Sequence, residues 1–135
     1  MECPHCQTAL EEKEYEGVPI EACPSCRGVW LKEVHLNVIV RIRQEQFTPE
    51  QRREAMEQIQ MDVSADQLYR CPACTEILVK INYAGDMGVI VDCCQRHHGL
   101  WLDQGELKKA QILWESRAQH FTDFIVLFAI ALDEP

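Results

Sequence analysis

The residues best suited to chemistry in this chain are its cysteines. Eight occur in 135 residues, six of them in the pairs Cys3/Cys6, Cys23/Cys26 and Cys71/Cys74. A C-x-x-C turn aims two thiolates at one point, so two such turns supply the four soft donors of a tetrahedral zinc ion. Cys3, Cys6, Cys23 and Cys26 make one such set, with 16 residues between the pairs. Two independent redox pairs would each need a βαβ setting, and the hydrophobic pattern provides none. A disulfide framework is disfavoured too. Met1-Glu2-Cys3-Pro4 opens no basic-then-apolar leader, so the expected compartment is reducing and cytoplasmic.

The second set is a near copy of the first. Cys71-Pro72-Ala73-Cys74 repeats Cys3-Pro4-His5-Cys6 at an offset of 68. The stretch Cys94 to Leu102 repeats Cys23 to Leu31 at an offset of 71. The copy therefore carries three extra residues between its pairs, as a duplicated module with a variable hairpin would. Aligned in this way, Cys71, Cys74, Cys94 and His97 are the donors, with an imidazole standing in for the last thiolate. Cys93 adjoins Cys94 and His98 adjoins His97, so either neighbour could close the site instead. Cys93 otherwise reads as a packed thiol, or as the trigger of a redox-responsive zinc switch. His5, His35 and His120 read as surface or packing residues.

Both sets look coordinatively full, whereas catalytic zinc keeps a position open for water. The zincin helix, the deaminase pattern, the nucleophile elbow and the phosphate and dinucleotide loops are all missing. The expectation is a non-enzymatic protein with two structural Zn2+ ions. About 30 residues bury too little to fold alone, and ligation would supply on the order of 10 kcal/mol.

The elements that must position these donors follow from local pattern. In the second copy Ile77, Val79 and Ile81 alternate with Leu78, Lys80 and Asn82. Gly85-Asp86-Met87-Gly88 then turns the chain and Val89-Ile90-Val91 returns, a hairpin between the ligand pairs. In the first copy Tyr15-Glu16-Gly17 is the turn, and Pro19 suggests an edge strand. Thr48-Pro49-Glu50-Gln51 is a capped helix start, predicting a helix over 49–61. Val34, Val38 and Ile42 fit a helical stripe over 33–46, and Ser64-Ala65-Asp66 could cap a short turn. Trp30 and Trp101 follow the last donors at equal spacing, each expected to lid its own module.

With these residues laid out, each copy resembles the TFIIB-type transcription factor zinc-finger, a small zinc ribbon. Its pattern is C-P-x-C, a hairpin, then C-P-x-C-G-G-V-W-L-D-x-G-E-L. The second copy carries Gly99-Leu100-Trp101-Leu102-Asp103-Gln104-Gly105-Glu106-Leu107. The first keeps Cys23-Pro24-Ser25-Cys26-Arg27-Gly28-Val29-Trp30-Leu31 and then departs. The resemblance implies zinc ribbons and the same ligand assignments. It does not bring a function, because a ribbon is a platform for many contacts.

The expected architecture is α+β: ribbon 1 over 1–31, a helical connector over 32–70, ribbon 2 over 71–107, and a long apolar helix over 108–135. Asp103 and Glu106 place carboxylates at the start of that helix. Leu107, Gln111, Trp114, Ala118, Phe121, Ile125, Phe128 and Leu132 then form an a/d-like seam. The apolar run over 124–132 is nine residues, too short to span a bilayer.

Net charge is −9. Residues 1–31 hold six acids against two bases, and residues 71–107 hold five against two. Acidic ribbons argue against a phosphate grip. The bases cluster at Arg41, Arg43, Arg52 and Arg53, among nearly as many acids. The sequence thus favours an adaptor that docks a protein partner, or a second copy, through residues 107–132. The alternative is a transcription-associated ribbon touching nucleic acid or RNA polymerase.

Overall fold

The structure, a computed structural model, describes residues 1–42, 46–60 and 67–117. In the first repeat, Glu16 and Gly17 both adopt left-handed φ, 49° and 82°. That is what a two-residue turn needs to match the twist of a hairpin. The turn joins β1 (Glu11–Tyr15) to β2 (Val18–Ala22), with Tyr15 opposite Val18. β3 (Val29–Leu31) returns along β2. α1 (Glu33–Ile39) follows at once, and α2 (Pro49–Glu57) occupies the connector. The second repeat supplies β4 (Val79–Asn82), β5 (Ile90–Cys93) and β6 (Leu100–Leu102). A third helix, α3, runs from residue 106 to the last described residue, 117.

The six strands form one antiparallel sheet in the order β1-β2-β3-β6-β5-β4. At its centre β3 meets β6 with Val29 opposite Leu102, Trp30 opposite Trp101 and Leu31 opposite Leu100. Trp30 and Trp101 are equivalent residues of the repeat, so the sheet has an approximate twofold axis between them. Continuous pairing sets the row Glu12, Glu21, Trp30, Trp101, Asp92, Lys80 across all six strands. Side chains alternate along a strand, so this row faces away from Leu31, Leu100 and Leu102. The latter three join a core with Leu36, Ile39, Phe47, Ala55, Leu107 and Leu113 under the helices. The row face carries the knuckles, and Trp30, Trp101, Tyr69 and Leu78 cluster there with the cysteines.

Two tyrosines cross between the repeats. Tyr15, at the tip of the first hairpin, donates its hydroxyl to Gln111 Oε1 on α3 at 2.9 Å. Tyr83, its counterpart at an offset of 68, donates to Asn37 Oδ1 on α1. Each hairpin therefore holds the helix that follows the other repeat. Gln111 is fully buried, and its Nε2 donates to the carbonyls of Ile39 and Ile42 at 3.1 and 2.9 Å. These carbonyls lie at the C-terminal end of α1, where that of Ile39 also accepts from the Ile42 N–H, so Gln111 ties this end of the helix to α3.

Several local expectations change for physical reasons. The helix expected over 33–46 ends at Ile39, where three β-branched residues meet the carbonyl capture by Gln111. Val34, Val38 and Ile42 form its exposed face, and Leu36, Ile39 and Val40 its buried one. The capping box of α2 forms: Thr48 Oγ1 accepts from the Gln51 N–H, and the Thr48 N–H donates to Gln51 Oε1. That helix ends at Glu57, short of 61. β2 is an inner strand, yet Pro19 fits because β3 pairs only with Glu21 and Ala22. Of the helix expected over 108–135, residues 108–117 are helical. Residues 118–135, with His120 and the seam beyond Trp114, lie outside the described residues, as do Ser64-Ala65-Asp66. No helix among the described residues is long and apolar enough to cross a membrane.

Candidate metal centres

Each knuckle is a tight turn closed on a left-handed residue. After Cys6 that residue is Gln7 (φ 58°), whose N–H donates to the Cys3 carbonyl at 2.8 Å. Thr75 (φ 65°) does the same to Cys71, and Arg27 (φ 64°) to Cys23. Such turns present backbone N–H groups to the sulfur inside them. Cys3 Sγ accepts from the His5 and Cys6 N–H groups, and Cys23 Sγ from that of Cys26. N–H groups aimed at a sulfur favour its thiolate form.

The first site brings the four expected cysteines together. Sγ–Sγ separations are 3.6 Å for Cys3–Cys6, 3.7 Å for Cys3–Cys26 and 3.5 Å for Cys6–Cys23. Disulfide sulfurs would lie at about 2.05 Å. Zn–S bonds of about 2.3 Å in a tetrahedron place sulfurs about 3.8 Å apart, so these edges suit zinc. Cys3 and Cys23 are buried, while Cys6 and Cys26 reach the surface.

The second site gathers Cys71, Cys74, Cys94 and His98, all donor atoms lying within 4.8 Å of one another. Cys74 Sγ and Cys94 Sγ are 3.7 Å apart, and His98 Nδ1 is 3.4 Å from Cys94 Sγ. His97, the donor the repeat alignment favours, is not part of this cluster. Both last knuckles span the same length, closed by Cys23 N–H to Gly28 and Cys94 N–H to Gly99. In the second, however, the left-handed residue is His97 itself (φ 63°), whose N–H donates to the Cys94 carbonyl at 3.0 Å. The turn closes one residue early. The donor then comes from the residue after it, and imidazole is long enough to reach back. Two adjacent histidines give no sequence signal that separates them. Cys93 stays outside the site, its Sγ facing the Cys94 carbonyl at 3.5 Å.

The electrostatics repeat as well. Burial pushes the Cys3 thiol up to about 12 and Cys71 to about 11. Burial also opposes ionisation of Cys23 and Cys94. Backbone N–H donors (Cys26 and Ser25 for one, His98 and Arg96 for the other) and neighbouring side chains outweigh it, lowering both to about 6. Within each site the turns thus favour ionisation at Cys23 and Cys94, whereas burial opposes it at Cys3 and Cys71.

The tryptophans depart from expectation most clearly. A Cβ built on Gly28 would lie 2.6 Å from Cη2 of Trp101, and one on Gly99 would lie 2.7 Å from Cζ2 of Trp30. Each indole lies on the glycine of the opposite knuckle, so the lids are exchanged across the axis. Asp103 also changes role: its carboxylate accepts from Trp101 Nε1 at 3.2 Å, while its carbonyl accepts the Glu106 N–H that opens α3.

Residues 2–41 match the family model of the transcription factor zinc-finger, the TFIIB-type zinc ribbon. The match takes in all four donors of the first site and α1. For the second repeat the same reading rests on its own four-donor cluster. No match is found among curated proteins or among solved structures. The two donor sets fit two structural Zn2+ ions, which would supply folding free energy that the small modules lack.

Proposed function

We propose that the chain is a non-enzymatic, cytoplasmic zinc-binding adaptor that docks a protein partner or a second copy of itself. The observation that carries this reading is the closure of both sites. Four protein donors converge on each, which leaves the metals a scaffolding task. What they hold in place is surface. Val34, Val38 and Ile42 form an exposed apolar stripe on α1, with Val34 62% accessible. Ile77 and, on the outer strand β4, Val79 and Ile81 form another. The seam over 107–132 enters differently than its sequence suggests. Leu107 and Gln111 are buried within the fold, so a partner or second copy would engage the apolar sequence from Phe121 onward.

The reading as a transcription-associated ribbon rests on the family match at residues 2–41. Against phosphate binding, Arg52 and Arg53 already have carboxylate partners. Arg52 Nη1 is 2.6 Å from Glu115 Oε2, and Arg53 Nε is 4.0 Å from Glu57 Oε1. Light scattering on the zinc-loaded chain, with a Phe121/Ile125/Phe128 polar variant, tests association. An unchanged monomer in both would remove self-association. A salt-dependent shift on DNA or RNA, lost when Arg52 and Arg53 become Ala, would replace the adaptor reading with the nucleic-acid one.

A further inference from the structure

The row that crosses the sheet ends differently on its two sides. In the second repeat Lys80 faces Asp92 across β4 and β5, with Nζ 2.7 Å from Oδ1. The ammonium also sits over the Tyr69 ring, 5.1 Å from its centroid, and both side chains are largely buried. The corresponding pair in the first repeat is Glu12 facing Glu21. The template carboxylate is kept, since Glu21 occupies the position of Asp92 beside its tryptophan. The lysine is replaced by a second acid.

Two carboxylates directly opposite one another repel. Glu21 Oε2 is moreover buried with no hydrogen-bond partner. Both acids line an open groove of about 800 Å³, which Leu31, Lys32 and His35 border too. Trp30 and, from the second repeat, Ala73 and His98 line it as well. Lys13 and Lys32 also border it, but among the described residues neither is in an ion pair with Glu12 or Glu21.

We infer that this groove receives a lysine side chain from a partner polypeptide, its ammonium taking the place that Lys80 fills in the other repeat. The inference rests on the adaptor reading and names the contact that reading lacks. Glu21 supplies one acceptor, Glu12 a second across the strands, and Trp30 apolar lining for the methylene stem.

The experiment uses the zinc-loaded full chain and a blocked Gly-Gly-Lys-Gly-Gly peptide, followed through the tryptophan indole N–H signals. A saturable shift at Trp30, with Trp114 unmoved, is expected. The matching norleucine peptide should give none. Glu21→Gln should weaken binding at least tenfold while two zinc ions are retained. Glu12→Lys rebuilds the ion pair of the second repeat, so it should fold, raise Tm and abolish binding. Equal shifts with norleucine, saturation of the same signals by Ca2+ alone, or equal weakening by the remote Glu54→Gln would each overturn the site. The adaptor reading fails separately, through the nucleic-acid shift described above. A protein complex that forms unchanged with Glu21→Gln would overturn this groove and leave that reading standing.

Discussion

Across β4 and β5 the second repeat closes its face with Lys80 and Asp92, whereas at the same positions the first repeat sets Glu12 against Glu21. The outer strands contrast in the same way. β1 exposes Glu11, Glu12, Lys13 and Glu14, a charged edge that discourages strand pairing, while β4 exposes Val79 and Ile81. One duplicated backbone therefore holds one face satisfied from within and one left with an unmet carboxylate. The difference teaches that duplication here preserved what builds the metal sites and let the remaining positions diverge.

Chelation should give the largest effect on this comparison. Removal of both ions should abolish the β signal of both repeats together, because the exchanged tryptophans make each site part of the other's packing. The loss is on the order of 10 kcal/mol per site. Persistence of one repeat's signal by circular dichroism would show that the two halves are independent. Next, His98→Ala should reduce the cobalt-substituted chain to one tightly held ion, whereas His97→Ala should keep two. The reverse pattern in the visible spectrum would restore the alignment-based donor.

Gly28→Ala should cost about 1–3 kcal/mol by forcing a methyl group against Trp101. Denaturant titration of double variants sharpens the point. Trp101→Phe should couple to Gly28→Ala, and Trp30→Phe should add to it independently; lids that served their own repeat would invert that result. Gln111→Leu should cost roughly 2 kcal/mol, since it removes the hydrogen bonds to the Ile39 and Ile42 carbonyls and to the Tyr15 hydroxyl. Tyr83→Phe should lose about 1 kcal/mol, the value of one hydrogen bond to Asn37.

The donors were legible because cysteine spacing is dictated by the metal, and seven of the eight emerge from the C-x-x-C turns and the repeat. The eighth was not, because His97 and His98 differ only in which one takes the left-handed turn. The hairpins, the capping box at Thr48 and the three added residues at Asp86-Met87-Gly88 are local, and local rules find them. The joining of the repeats is a long-range pairing between Val29–Leu31 and Leu100–Leu102, for which no periodicity speaks. Gln111 marks the point well. It interrupts an apolar seam in the sequence, and only the fold reveals that it bridges the end of α1 and Tyr15 of the first hairpin.

The central pairing of β3 with β6 also sets a schedule. During synthesis β3 emerges roughly 70 residues before the strand that covers its open side. At ribosomal speeds that interval is on the order of ten seconds. Through it the nascent first repeat can bind its metal and fold its hairpin, but Trp30 has no glycine to rest on. The packing of Trp30 against the second knuckle is therefore completed only once the second repeat has emerged.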